Sequence, residues 1–266
     1  MMAKKTINDI QKGPNDYKLI MLTAYEYIFS SLISSCNVDI ILVGDSLASI
    51  FSGLDNTLPV TVDEMIYHTK AVVRGSGDCM VVTDMPFMSY HIDITDTKRN
   101  AGRIIKESGA QAVKIEGSSE LTIDTIKALT EIEIPVMAHL GLTPQSIHKL
   151  GGYKVQGKGD EANKLIEDAK RVQDAGAFSL VLECVPALLA KEITETLNIP
   201  TFGIGAGKYC SGQVLVTQDI LGMYDKVRPK FVKRYKELGT EIKEAVNSFI
   251  DEVKSEKFPA KEHSFK

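Results

Sequence analysis

Four acidic residues stand at the ends of short apolar runs in this 266-residue sequence. Each run has the continuously apolar character of a strand that is covered on both faces of a parallel sheet. Carboxylates that converge on one place can bind a hard cation such as Mg²⁺ or transfer protons. A single acid after a strand is more often a helix cap or half of a surface ion pair, but four in the same position favour a shared site. The four acids are Asp45, Asp84, Glu116 and Glu183.

Lys114 precedes Glu116 by two residues in the run VKIEG at 113–117. Because side chains alternate along a strand, these two charged side chains point to the same side. A buried charge costs several kcal/mol unless an opposite charge offsets it, and one lysine is too few for four carboxylates. The sequence therefore predicts a divalent cation with oxygen ligands, and Mg²⁺ suits an all-oxygen set.

Two other residue types that often carry chemistry give weaker signals. His139 lies near the end of another apolar run, and the sequence leaves two interpretations open: a histidine hydrogen-bonded inside the core, or a contact to substrate. The cysteines form no Cys-x-x-Cys pair, which argues against a zinc site and a redox dithiol. We expect buried, free thiols at Cys36, Cys79, Cys184 and Cys210.

The elements that must position these residues are eight predicted strands separated by segments of helical period. This alternation predicts an α/β fold, a (βα)₈ barrel, in which the carboxyl ends of all strands meet at the face that holds the active site. The predicted strands cover 18–23, 40–44, 80–83, 112–115, 135–139, 179–182, 201–204 and 213–216.

An internal similarity supports repeated βα units. Residues 108–116 and 175–183 each read as a helix end, a glycine, an apolar strand and a glutamate. The helical period also predicts a helix over 96–108 that ends at Gly109. We expect residues 1–266 to form a single barrel domain with an N-terminal helix and a C-terminal packing helix over 236–257, for which a subunit interface is the alternative role.

Charge and hydropathy exclude several classes of partner. There are 31 basic and 35 acidic residues, a formal net charge of −4, which favours neither nucleic acid nor another polyelectrolyte as partner. The apolar runs are far shorter than the roughly 18 residues of a membrane helix. The first residues lack the apolar stretch of a secretory signal, so we expect a cytoplasmic protein.

An ordered set of motifs resembles the ketopantoate hydroxymethyltransferase family. The similarity extends from about Thr6 to Tyr235, nearly the whole sequence. The motifs are VGDSL at 43–47, TLPVT at 57–61, DMPF at 84–87, VKIEG at 113–117, GLTPQ at 141–145, GGYKVQG at 151–157 and LECVP at 182–186.

The resemblance implies a TIM barrel of the phosphoenolpyruvate/pyruvate type. It implies transfer of a hydroxymethyl group from 5,10-methylenetetrahydrofolate to 3-methyl-2-oxobutanoate, which gives 2-dehydropantoate on the route to pantothenate. Mg²⁺ is the implied cofactor, and a large homo-oligomer, a homodecamer, is the implied assembly. The assembly does not follow from composition.

The resemblance also implies a role for each matching residue. Asp45 and Asp84 correspond to direct Mg²⁺ ligands, and Glu116 to a contact to the ion through water. Glu183 corresponds to the proton acceptor. The residues that correspond to oxo-acid binding are Asp45, Ser46, Asp84 and Lys114. In this hypothesis the cation polarises the ketone while Glu183 removes the neighbouring proton to give an enolate.

Two rival hypotheses fit part of the same pattern. A Mg²⁺-dependent lyase or mutase acting on another oxo acid would use the same carboxylates. A non-catalytic barrel that binds a partner would need neither metal nor turnover, but charged residues inside a barrel are costly unless they have a function. The loop over 151–159 is either a lid over the site or an ordinary connection.

Overall fold

Eight parallel strands close into a barrel in the computed structural model of the chain, which describes residues 4–13, 17–150, 152, 154–226 and 228–265. Each strand pairs with the next along the chain, and β8 pairs with β1. The predicted (βα)₈ barrel is confirmed. The strands are β1 (Leu19–Thr23), β2 (Ile40–Val43), β3 (Met80–Asp84), β4 (Ala112–Glu116), β5 (Val136–Gly141), β6 (Ser179–Glu183), β7 (Thr201–Ile204) and β8 (Gly212–Leu215).

Helices lie between consecutive strands from β1 to β7, and others precede β1 or follow β8. They are α1 (Ile7–Lys12), α2 (Tyr27–Ser34), α3 (Leu47–Ile50), α4 (Val62–Gly75), α5 (Ile94–Arg103), α6 (Glu120–Thr130), α7 (Ile147–Leu150), α8 (Glu161–Asp174), α9 (Ala187–Thr196), α10 (Thr217–Ile220) and α11 (Leu238–Lys254). A π-helical turn, Ile104–Ser108, continues α5, and short 3₁₀ helices occupy Pro144–Ser146 and Lys261–His263.

The barrel interior is filled by alternate residues of the strands. Ala112 of β4 belongs to this interior core, whereas its neighbours Val113 and Ile115 belong to the layer between strands and helices. The alternation predicted for β4 is therefore present, and it directs Lys114 inward. Ile10 of α1 is fully buried in the same interior core, so α1 packs against one end of the barrel.

The register of the strands brings the candidate site residues to one end of the barrel. Asp84 pairs with Lys114, and Glu116 pairs with His139. Glu183, at the end of β6, pairs with Gly141 at the end of β5. Since all strands run in parallel, these residues lie at the carboxyl end, where barrel enzymes hold their active sites.

The predicted helix over 96–108 is present but differs in two details. It begins at Ile94, because the Asp93 side chain accepts a hydrogen bond from the backbone of Asp96, and its last turn is π-helical. It ends at Gly109, whose φ of +82° is left-handed, as predicted. The similar segment ends at Gly176, with φ +103°, before β6, so the internal similarity corresponds to repeated structure.

Two other predictions have mixed outcomes. Cys79 and Cys210 are buried and Cys184 is only partly buried, but Cys36 is exposed in the turn after α2, where its thiol faces the last helical turn rather than the core. The prediction of buried thiols is therefore wrong for Cys36. The proposed lid over 151–159 includes Gly151 and Tyr153, which lie outside the described residues, so the lid stays a prediction.

The chain divides into two compact units, Met1–Leu215 and Val216–Lys266. The second unit contains α10 and α11, and no residue of α11 is buried. The single domain with a C-terminal packing helix therefore stays a prediction. Within the described ranges no helix combines the length and apolarity needed to cross a membrane.

Candidate active site

Asp45 and Asp84 follow neighbouring strands and are joined directly. The backbone N–H of Asp45 donates to Asp84 Oδ2 at 3.0 Å, and both side chains are buried. A side chain at position 44 would crowd Ser46, because a Cβ there would lie 2.8 Å from Ser46 Oγ. Burial raises the pKa of both carboxyls above their usual range, because it disfavours the charged form, so a cationic partner is needed to keep them ionised.

Lys114 supplies positive charge to these acids. Its Nζ lies 3.1 Å from Asp84 Oδ1 and 3.5 Å from Glu116 Oε1, and its side chain is only 4% exposed. Burial by itself would lower the pKa of Lys114, but the carboxylates of Asp84 and Glu116 outweigh it and raise the pKa. The lysine is therefore charged at neutral pH.

Glu116 accepts from several donors at once. Its Oε1 lies 3.2 Å from His139 Nδ1, and its Oε2 accepts the backbone N–H of Gln145 at 3.1 Å. Burial would raise the pKa of Glu116, but Lys114 and His139 outweigh it and lower the pKa to about 2. Glu116 is therefore ionised throughout the physiological range.

His139 lies between two acids. Its Nδ1 faces Glu116, and its Nε2 lies 3.4 Å from Glu183 Oε2. Burial and the nearby Lys114 would lower the pKa of His139, but hydrogen bonding to Glu116 and Glu183 outweighs them and raises the pKa to about 9. His139 is buried, as the core interpretation required, yet its partners are two candidate active-site acids. Its contact to substrate stays a prediction.

Ser46 lies beside the two aspartates and is held by an aromatic side chain. The Tyr25 hydroxyl lies 2.9 Å from Ser46 Oγ, and the carbonyl of Tyr25 contacts His68 Nδ1 at 2.6 Å. Tyr25 is buried. This arrangement limits the directions in which the serine hydroxyl can point.

We define Asp45, Asp84 and Glu116 as the carboxylate cluster, and its donors fit a hard divalent cation. Asp84 Oδ1 is buried and forms no well-directed hydrogen bond with any described residue, although Lys114 Nζ lies 3.1 Å away. Over the described ranges no three acidic, histidine or cysteine side chains already surround one point as metal ligands. Mg²⁺ often takes only one or two protein carboxylates and completes its shell with water and substrate, so two aspartates suffice.

The sequence made two kinds of prediction for this site: where its residues lie, and what each residue does. The structure brings together Asp45, Ser46, Asp84, Lys114, Glu116 and Glu183, as expected from the strand ends. Their roles toward metal and substrate stay predictions. Sequence reasoning missed Gln145, Tyr90 and Tyr25, although Gln145 belongs to the motif GLTPQ. The motif was the signal that the sequence offered. It did not show which residues Gln145 contacts, because those residues lie far from it in the chain.

Comparisons with known proteins identify the family. The sequence profile described as ketopantoate hydroxymethyltransferase matches residues 4–261. The chain belongs to the ketopantoate hydroxymethyltransferase family. Proteins named 3-methyl-2-oxobutanoate hydroxymethyltransferase from Geobacter metallireducens and Geobacter sulfurreducens are 56% and 57% identical to it, over 100% of each chain. One from Clostridium botulinum strain Langeland is 53% identical over 99% of this chain and 96% of the relative.

Solved structures of distant proteins share the fold of this hydroxymethyltransferase-family chain. A 2,3-dimethylmalate lyase of the PEP mutase/isocitrate lyase superfamily is 14% identical, with a TM-score of 0.62 over 100% of this chain and 89% of its own. A phosphonopyruvate hydrolase in complex with oxalate and Mg²⁺ is 10% identical, with a TM-score of 0.61 over 97% and 93%. At this identity the similarity shows the fold alone, a barrel of the same general architecture.

Proposed function

We propose that this chain transfers a hydroxymethyl group from 5,10-methylenetetrahydrofolate to 3-methyl-2-oxobutanoate and so forms 2-dehydropantoate for pantothenate biosynthesis. The main support is the carboxylate cluster with Lys114 beside it. A separate acid, Glu183, lies next to His139. The relatives that share 53–57% of the sequence carry the matching enzyme name.

Asp45 and Asp84 would hold Mg²⁺, and Glu116 would contact it through water. Bound there, the ion supplies Lewis-acid polarisation of the ketone of the oxo acid. Lys114 and Ser46 provide an ammonium and a hydroxyl next to the cluster, which suit the carboxylate and keto oxygens of the substrate. The burial of Lys114 strengthens the electrostatic attraction between its ammonium group and the substrate, because little water competes for that group.

Glu183 is the proposed base that removes the proton from C3 of the oxo acid. Its side chain lies at the mouth of the barrel with Oε2 3.4 Å from His139 Nε2, and it is 13% exposed, so one oxygen can reach a bound substrate. A positioned base contributes about 10²- to 10⁴-fold to the rate. Lys114 adds a fixed positive charge near the oxygen on which negative charge develops. The resulting carbon nucleophile then forms a C–C bond to the methylene carbon delivered by the folate. The C–N bonds of that carbon break so that tetrahydrofolate leaves, and water supplies the oxygen of the new hydroxyl group.

The decisive experiment separates proton removal from one-carbon transfer. The protein with Mg²⁺ and 3-methyl-2-oxobutanoate in D₂O should exchange the C3 hydrogen without folate, as followed by NMR. Glu183→Gln should slow this exchange by about 100-fold or more. Labelled 5,10-methylenetetrahydrofolate should then deliver its label to the product. Release of a carbonyl fragment without a pterin would instead indicate a lyase.

The proposal includes self-association in the cytoplasm, with a homodecamer as the expected assembly. Apolar side chains are exposed on α2, at Ile28 and Leu32, and on α11, at Val246 and Phe249. Exposed apolar surface of this kind is typical of subunit contacts. Light scattering should report ten times the mass of one chain, and a monomer mass at micromolar concentration would contradict the assembly.

A further inference from the structure

The loop after β5 connects two members of the carboxylate cluster through one residue. Gln145 donates its backbone N–H to Glu116 Oε2 at 3.1 Å and its side-chain Nε2 to Asp45 Oδ2 at 2.9 Å. The same Nε2 donates to the carbonyl of Met85 at 3.0 Å. Asp45 follows β2 and Glu116 ends β4, so Gln145 joins acids from strands that are not neighbours.

The orientation of the Gln145 amide is fixed by its surroundings. The Tyr90 hydroxyl donates to Gln145 Oε1 at 2.8 Å, while the backbone N–H of Glu116 donates to the same hydroxyl at 3.3 Å. A flipped amide would turn its oxygen toward Asp45 Oδ2 and the Met85 carbonyl, both acceptors. Gln145 and Tyr90 are both buried, so the network is shielded from water and fully paired at the amide.

We propose that Gln145 is a positioning residue for the divalent-cation site. It occupies one oxygen of Asp45 and one of Glu116, so each carboxylate presents its second oxygen in a set direction. Glu116 Oε1 is thereby directed to Lys114 and His139. Asp45 Oδ1 is the oxygen that Gln145 leaves for an ion. A carboxylate that is already oriented loses less freedom when it binds a metal.

This inference rests on the proposed function, because it takes Asp45 as a ligand of the cation. It goes further because it assigns a positioning role to Gln145 of the motif GLTPQ. The Gln145 side chain acts on the ion through Asp45 rather than by touching the reacting atoms. Its removal should therefore affect metal affinity more than the rate at saturating metal.

The test compares metal binding by the full chain and its variants, measured by calorimetry with Mg²⁺ and by electron paramagnetic resonance with Mn²⁺. Gln145→Leu removes the side-chain donor and keeps the backbone N–H to Glu116. We expect its metal affinity to fall by about 10- to 100-fold. The metal concentration for half-maximal C3 exchange should rise by a similar factor, while the rate at saturating metal changes only a few-fold.

Tyr90→Phe removes only the hydroxyl that orients the amide, and it should weaken metal binding in the same direction by a smaller factor. Gln11→Leu makes the same chemical change as Gln145→Leu at an exposed position of α1 and should leave the affinity unchanged. Asp45→Asn should abolish tight binding. Thermal unfolding of each variant checks that it folds.

The outcomes separate this inference from the proposed function. If the unmodified protein binds neither Mg²⁺ nor Mn²⁺, the metal-dependent function is wrong. If it binds them, and folded Gln145→Leu and Tyr90→Phe bind equally tightly, the positioning role is wrong. If Gln145→Leu does not fold, the affinity of Tyr90→Phe decides: a weaker affinity supports the role, and an unchanged affinity overturns it.

Discussion

Burial and neighbouring charges together set the pKa values of individual residues at this site. Glu116 has a pKa lowered to about 2 and His139 a pKa raised to about 9, although burial alone would shift each in the opposite direction. For Glu116, the charge of Lys114 and the contact to His139 Nδ1 at 3.2 Å outweigh desolvation. For His139, the hydrogen bonds to Glu116 and Glu183 do so. His139 therefore holds Glu116 and Glu183 in fixed relation, and it does so best while it carries a proton.

The pH dependence of stability should report this proton on His139. The folded pKa is raised above the ordinary value of 6.5, so the stabilisation is complete below pH 6.5 and lost as pH rises through about 9. In the metal-free protein, His139→Asn should lower the free energy of unfolding by about 2–3 kcal/mol at pH 6. Urea titrations should show that the difference in unfolding free energy between the variant and the unmodified protein closes by pH 9.5. A gap that stays constant with pH would contradict the raised pKa.

Thiol reactivity should distinguish the cysteines. Burial raises the pKa of Cys79 and Cys184 to about 11, and it also raises that of Cys210, so few of these thiols are ionised at pH 8. Cys36 is exposed. Ellman's reagent at pH 8 should therefore modify one thiol quickly, and Cys36→Ser should remove the fast phase. A fast phase that survives this substitution would show that another thiol is reactive, and urea should release all four.

The turn after β5 positions both Gln145 and the proposed base, Glu183. Gly141 ends β5 with φ +95°, and the next residue, Leu142, donates its N–H to the carbonyl of Glu183 at 2.9 Å. Pro144 then begins the 3₁₀ helix that contains Gln145. The hydrogen bond to the backbone of β6 thus fixes where the loop begins, and Pro144 fixes where the 3₁₀ helix begins.

Substitution of Gly141 by alanine tests this turn. An added Cβ would lie 2.2 Å from the carbonyl oxygen of Glu183, and the positive φ disfavours a side chain, so Gly141→Ala should cost about 2 kcal/mol or more in unfolding free energy. It should also reduce activity by displacing Gln145. Gly102→Ala in α5 is the matched control, because a Cβ there meets open space, and it should stabilise the protein by up to about 1 kcal/mol. Equal effects of the two substitutions would rule out a special role for Gly141.

Strand positions were predictable from the sequence because each strand is a short apolar run between glycine or proline residues. β7 (Thr201–Ile204) matches its prediction, and β5 extends two residues past the predicted end, to Gly141. The acids at the strand ends followed from the same pattern. Gln145 and Tyr90 did not, because their contacts join loops that are 55 residues apart in the chain and have no periodic signature.

The barrel interior contains an apolar core at one level and a cluster of charged side chains at its carboxyl end. Lys114→Met leaves the carboxylate cluster without its ammonium group, and breaking a buried pair in this way costs about 3–5 kcal/mol. Urea unfolding should show this loss in EDTA and a smaller loss with saturating Mg²⁺. An unchanged stability in EDTA would contradict the charge balance described for the site.

Lys5→Met is the matched control for Lys114→Met. Lys5 pairs with Asp39 at 2.5 Å but is 24% exposed. Asp39 keeps two other donors, the Tyr17 hydroxyl at 3.0 Å and the backbone N–H of Ile20 at 2.8 Å. Loss of Lys5 should therefore cost less than loss of Lys114 and should not respond to Mg²⁺.

Pairing of β8 with β1 has a consequence for synthesis on the ribosome. The first strand cannot find its second neighbour until roughly 190 further residues have been translated, about 10–40 s at ordinary elongation rates. During that interval the edge of β1 offers unpaired amides and carbonyls to any other extended segment. A nascent chain stalled before Gly212 should therefore aggregate or recruit chaperones, whereas one released after Leu215 can complete its ring of hydrogen bonds.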